Sequence, residues 1–387
     1  MGGSRSPAGV VAGCTLGLAS GWNIANIGAV ASGMADAYGI ALGTVGLLTT
    51  ALFLTHTAVQ VPGGKISDAV GPRRAGALAL AVIAAGDVVA LIAPDAGLGL
   101  VARAITGVGT GLAFIAGSAL VRVSGGSALA QGLFGGIGIG AGGLALAIVP
   151  QLQAALGWRA PYLTSLVMVA VAASLLTAAG GARATAVRPV AGGAGRPAGV
   201  LRERRLYRLA VLYAGTYGLS VVAANWVVEL LERHSSLSDA AAAVVGALTL
   251  LLGIVSRPFG GYLMRTRPHR TVAMLRAGLG LGALGTVALA VASPAPLAVA
   301  GGVLVGVGAG WSFAPVFTGA AATRPDAPAA AVGFVNGIAN AVVLVGTPLV
   351  GVTFGWASGG RAGFAVLAVG WVVAALLLPR PRELGLA

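Results

Sequence analysis

The sequence predicts an all-α integral membrane protein, with twelve transmembrane helices in two pseudo-symmetric six-helix bundles. Three observations predict it. First, the 387 residues are 57% apolar and only 9% charged, with a mean hydropathy of +0.93. A soluble domain carries about 25% charged residues, and most of its folded surface must meet water. Second, the apolar sequence divides into twelve runs of about 20 residues, the length that crosses a bilayer as a helix. Third, segments of the first half recur in the second at a nearly constant offset.

The expected spans are 8–31, 41–62, 75–93, 97–121, 129–153 and 160–180, then 207–231, 240–264, 271–293, 297–319, 329–352 and 361–378. Arginine placement tests the count. Of 24 basic residues 23 are arginine, and with the N-terminus inside, 18 lie in inner segments against three outside, Arg159, Arg233 and Arg361. Cytoplasmic loops are the basic ones, and a miscount by one span would scramble the alternation. The chain is therefore expected to be a multi-pass protein of the cell (inner) membrane with both termini cytoplasmic, monomeric and surrounded by lipid. Residues 1–180 form the first bundle and 207–387 the second. Between them, 181–206 is Gly/Ala/Pro-rich and then basic, and reads as a flexible cytoplasmic linker.

The repeat has three members in the same order. GKISDAVGPRR at 64–74 has a weaker copy, GGYLMRTRPHR, at 260–270. ITGVGTGLAF at 105–114 matches LVGVGAGWSF at 304–313, an offset of 199, and GLFGGI at 132–137 matches GFVNGI at 333–338, an offset of 201. Two homologous halves are what transporters with a midplane site are built from.

Several classes are excluded. The net charge of +14 is spread over alternate loops and forms no single patch, so a nucleic-acid partner is not expected. The sole cysteine, Cys14, allows no intrachain disulfide; Val11 to Cys14 resembles a lipoprotein box, but the apolar stretch before it is too short for a signal sequence. GIGAGG at 138–143 has glycine-fingerprint spacing without the strand and acidic residue of a dinucleotide site. With no Walker sequence and no Cys/His cluster, neither cofactor nor metal nor enzymatic activity is expected.

With the loop after the second span placed in the cytoplasm, Gly64, Asp68, Gly71, Arg73 and Arg74 resemble the signature of the major facilitator superfamily; Ala69 stands where a basic residue is usual. Arg103, Gly107 and Gly109 resemble the Arg-x-x-x-Gly-x-Gly pattern of that family's fourth helix, and Gly157, Trp158 and Arg159 also fit. The resemblance implies a secondary transporter that works by alternating access, with a gate at 64–74. Gly140 to Gly143 lacks the proline of the antiporter-type pattern in the fifth helix, which weakens a drug/proton antiport reading.

Candidate residues follow from charge and placement. Asp68, Arg73 and Arg74 flank the tight turn at Gly71; an acid at a helix end pairs with arginines or a neighbouring helix N-terminus in one conformation only. Arg103 is expected inside the fourth span, where a buried arginine is expensive. It is suited to bind an anion by paired hydrogen bonds, to pair with Asp87 at similar depth, or to switch between the two. Asn23 and Asn225, at an offset of 202, adjoin Trp22 and Trp226; they are expected on a cavity wall, the alternative being interhelical hydrogen bonds. Trp311 is a further binding candidate, with Asn26, Tyr213, Tyr217 and Asn336 behind it. Glu229 is a proton-coupling candidate if buried, and His56 is either titratable or a packing residue. Arg257, beside Pro258, is assigned to the loop network of the second half.

The expected function is movement of a small, anionic solute, with possible proton coupling. Proton-driven efflux of amphipathic compounds is the alternative, and a non-transporting membrane sensor of the same fold is the alternative of another class.

Overall fold

A computed structural model describes residues 6–179, 198–291 and 294–384. Among the described residues the chain is helical throughout, without strands, as the bilayer demands: backbone groups of an isolated segment are satisfied there only within helices. The helices are α1 (Pro7–Ala25), α2 (Ala31–Tyr38), α3 (Leu42–Ala58), α4 (Gln60–Val70), α5 (Pro72–Ala90), α6 (Ala96–Val123), α7 (Ala128–Leu156) and α8 (Ala160–Ala178). They continue with α9 (Ala198–Arg202), α10 (Arg204–Tyr213), α11 (Leu219–His234), α12 (Asp239–Leu251), α13 (Gly253–Thr266), α14 (Thr271–Val291), α15 (Ala295–Gly310), α16 (Phe313–Thr323), α17 (Pro328–Val352) and α18 (Arg361–Leu376). Each of the twelve expected spans is occupied by one helix or by a broken pair.

The breaks have local causes. Pro62 cannot donate to Ala58 and its ring crowds that carbonyl; α3 and α4 meet there, bent by 51°. Pro315 stands in the same relation to Trp311, where α15 gives way to α16. Between α10 and α11, Ala214–Gly218 is a π-helical segment, a feature that often marks functional sites.

Two expectations are corrected. The first span ends at Ala25, and α2 is a separate short helix whose buried face, Met34, Ala35 and Tyr38, packs with Ile27 and Val30. The string at 64–74 is not a loop: α4 runs to Val70, and the turn is Gly71 alone, at φ 85°, a backbone conformation that glycine adopts freely. Of the expected linker, 181–197 lies outside the described residues, while 198–206 is largely helical, in α9 and the start of α10.

By spatial proximity the chain forms two compact units, Met1–Ala130 with Ile137–Val200 and Arg324–Gly333, and Gln131–Gly136 with Leu201–Thr323 and Phe334–Ala387. In unit 1, α6 packs against α1, α3 and α5 around small residues such as Ala12, Ala79 and Ala116. A methyl group on Gly109 would stand 2.7 Å from the Ile83 nitrogen and 2.9 Å from the Ala79 carbonyl oxygen, so the backbones of α5 and α6 touch there. In unit 2 the equivalent Gly308 holds α15 against α14: a methyl would stand 3.0 Å from the Gly282 nitrogen and collide with the Gly278 carbonyl. Gly107 likewise meets Leu52 of α3, and Gly306 meets Leu248 of α12. The sequence repeat is thus a repeat of helix contacts, of the small-residue kind that lets helices approach in lipid.

Candidate functional site

Unit 1 contains a sealed polar cluster drawn from α1, α5, α6 and α8. Arg103, Asp87, Asn23, Asn26 and Ser165 are each 0% exposed. Nη2 of Arg103 donates to the Asn23 carbonyl oxygen at 2.6 Å. Nδ2 of Asn23 donates to Oγ of Ser165 at 2.7 Å, and Ser165 donates to Oδ2 of Asp87 at 2.5 Å. Asn26 donates to the Pro161 carbonyl oxygen at 2.9 Å and Trp22 to Oγ1 of Thr164 at 3.1 Å, both on α8. A chain of hydrogen bonds therefore links Asp87 to Arg103 through Ser165 and Asn23. A direct ion pair between them is not among those found in the described residues. Among the described residues Oδ1 of Asp87 and Nε and Nη1 of Arg103 have no hydrogen-bond partner, and buried polar atoms left this way call for an explanation.

Other candidates are placed differently from expectation. Asn23 and Trp22 are buried between helices of unit 1 and do not lie on an open wall. Asn225 is exposed and donates to Oγ1 of Thr347 at 3.0 Å, while Trp226 donates to the Thr347 carbonyl oxygen at 2.7 Å and stacks on Phe354. The matched offset of the two asparagines does not produce matched environments. Glu229 is not a buried carboxylate: its side chain is 42% exposed and pairs with Arg233 at 2.6 Å. His56 is buried, with Nδ1 3.0 Å from Oγ1 of Thr110. Thr110 in turn bonds the Gly107 carbonyl oxygen at 3.0 Å, so one ring nitrogen of the histidine has a partner inside the span. Trp311 sits at the α15–α16 break against Phe259.

The string at 64–74 is built around a helix end. Both oxygens of Asp68 accept backbone N–H groups, from Ala329 and Ala330, each at 2.9 Å. These are the first two N–H groups of α17, because Pro328 has none, and they are what an N-cap side chain normally satisfies. Gly64, one turn before Asp68, allows the approach: a methyl there would lie 2.6 Å from the Ala329 carbonyl oxygen. Arg73 donates to the Thr177 carbonyl oxygen at the end of α8, 3.2 Å away. Arg74 is exposed.

Unit 2 holds a cluster of which sequence reasoning named only Tyr213 and Tyr217 as binding candidates. Arg257, assigned to a loop network, is instead 5% exposed. Its guanidinium carbon lies 5.3 Å from the ring centre of Tyr217 and 4.8 Å from that of Phe313, and its Nη1 donates to the Gly135 carbonyl oxygen at 2.9 Å. Tyr213 stacks on Tyr217 at 5.1 Å, and Phe317 on Phe313 at 4.2 Å. Phe313, two residues past Trp311, is the aromatic group that reaches the cation.

Buried charges within apolar helices, a repeated helix packing and a capped helix end together define a multi-pass membrane protein of the transporter type. The sequence profile of the Major Facilitator Superfamily matches residues 12–342, and the chain belongs to that superfamily of secondary transporters. Solved structures agree in fold. A variant of the E. coli fucose:proton symporter FucP is 13% identical, covering 96% of this chain and 98% of its own with a TM-score of 0.73. The proton:xylose symporter XylE, bound to 6-bromo-6-deoxy-D-glucose, is 14% identical over 96% of this chain and 94% of its own, with a TM-score of 0.74. The human organic anion transporter TETRAN is 16% identical over 96% and 98%, with a TM-score of 0.68. No curated protein sequence matches significantly.

Proposed function

We propose that the protein takes up a small organic anion by alternating access, coupled to protons, in an inner membrane with both termini cytoplasmic. The observation that carries the reading is the sealed chain Asp87–Ser165–Asn23–Arg103. A carboxylate and a guanidinium are held in one bundle without direct contact and with unused atoms on both. Ionisable groups inside membrane spans are costly and are kept for ion and proton pathways. In this reading Asp87 takes the coupling proton, and Arg103, sealed inside unit 1, is its charge partner and not the solute's ligand.

The anion follows from the charge balance. Among the described residues the buried charged side chains within the spans are Arg103, Arg257 and Asp87, two cations to one anion. An anionic solute supplies the missing charge. Asp68 on the N-terminus of α17 serves as the gate, made in one conformation and released in the other. Among proteins of this fold two are named as proton symporters and one as an organic anion transporter, so both parts of the reading occur on this scaffold.

The test uses proteoliposomes and labelled carboxylates that protein-free liposomes exclude. Wild type should accumulate at least one of them when the outside is made acidic, and Asp87→Asn should exchange it without accumulating it. Full accumulation by the variant would remove Asp87 from coupling, and exclusion of every carboxylate by wild type would remove the anion.

A further inference from the structure

Arg257 carries a charge that its surroundings only half satisfy. A guanidinium has five N–H donors; among the described residues one nitrogen, Nη1, has an acceptor, the Gly135 carbonyl oxygen. No carboxylate pairs with it within 4.0 Å among the described residues. What surrounds it is aromatic: Tyr217 and Phe313 against the guanidinium, with Tyr213 and Phe317 stacked behind them. Such faces attract a cation and shield it from water, but they bring no countercharge. The π-helical segment Ala214–Gly218 sets the position of Tyr217, and Oγ1 of Thr216, next to it, lies 2.6 Å from Oγ of Ser312, next to Phe313. The two rings on Arg257 are thereby fixed by adjoining residues.

We propose that Arg257 and its aromatic cage are the site that takes the carboxylate of the solute, and that they select a flat organic anion with an aromatic or conjugated body. The carboxylate meets the N–H edge of the guanidinium left free by Gly135, in the paired geometry that arginine offers and lysine does not. The flat body lies against Tyr217 and Phe313, where offset or edge contacts between rings are favourable. The site rests on the anion reading above and sharpens it by giving the solute a ligand, Arg257.

Thermal unfolding of the purified full-length protein, titrated with benzoate, tests this, with acetate, inorganic phosphate and benzyl alcohol for comparison. Wild type should be stabilised by benzoate, at least tenfold less readily by acetate, and not by benzyl alcohol. Arg257→Gln should abolish the benzoate shift, and Tyr217→Ala should weaken it about tenfold. If Arg257→Gln does not fold, Arg257→Lys replaces it, with an expected tenfold loss of affinity. A benzoate shift that persists in Arg257→Gln, or lies within twofold of wild type in Arg257→Lys, overturns the site and leaves the anion reading standing. Equal stabilisation by benzyl alcohol or acetate overturns the stated selectivity. A wild type indifferent to benzoate, acetate and phosphate alike overturns the site, and the uptake of labelled carboxylates described above then decides the anion reading.

Discussion

Asp68 lies 2.9 Å from the backbone nitrogen of Ala330, 262 residues along the chain, and caps the first turn of α17 with both carboxylate oxygens. The contact joins a charged acceptor to the positive end of a helix. A bond of that kind contributes about 1.5–3 kcal/mol. Asp68→Ala should therefore raise hydrogen exchange of the amides at Ala329 and Ala330 about tenfold to a hundredfold, at about 1.4 kcal/mol per factor of ten. Asp68→Asn, which keeps one acceptor, should fall between. Unchanged exchange in both variants would mean that the cap is not held in solution.

Gly64 permits that contact, so enlarging it should mimic the loss of Asp68. Gly64→Val should give the same exchange pattern at α17 as Asp68→Ala, with little added effect in the double variant. Additive effects would show that the two residues act separately.

Gly109 and Gly308 make the same backbone contact in the two halves. Alanine at either should lower thermal stability by a similar amount, about 1–3 kcal/mol for overpacking. Gly280→Ala is the control, because a methyl on Gly280 of α14 meets nothing within 4 Å. A loss at only one of the two repeat positions would break their equivalence.

Glu229 pairs with Arg233 near the surface, and an exposed i,i+4 pair is worth about 0.3–0.5 kcal/mol. Glu229→Gln should accumulate solute at the wild-type level and unfold within about 1 °C of wild type, since 1 kcal/mol moves the midpoint by only a few degrees in chains of 150–250 residues. Lost accumulation with intact exchange would return Glu229 to the coupling pathway.

Much of the architecture is legible in the sequence because it rests on one-dimensional signals. Spans follow from run length, orientation from arginine placement, and the repeat from glycines whose spacing is that of the helix contacts they make. The depth of Asp87 relative to Arg103 is legible for the same reason: counting from helix ends places both in one layer. Their connection is not, because a lone serine in apolar α8 carries no signal until Ser165 is seen between Asp87 and Asn23. Arg257 shows the converse error. Its place beside Pro258 suggests a member of the loop network, while its cage comes from Tyr217 and Phe313, each forty or more residues away in sequence. Asn23 and Asn225 show the limit of offset matching, since the same position in each half lies buried in one unit and exposed in the other.

Proton movement measured with a pH dye inside proteoliposomes shows whether Asp87 carries a proton with the solute. Adding a carboxylate that wild type accumulates should acidify the lumen in step with its entry, and Asp87→Asn should exchange the same carboxylate without acidification. Equal acidification by the variant would take Asp87 out of the proton path, and entry into wild-type liposomes with no proton movement would rule out proton coupling.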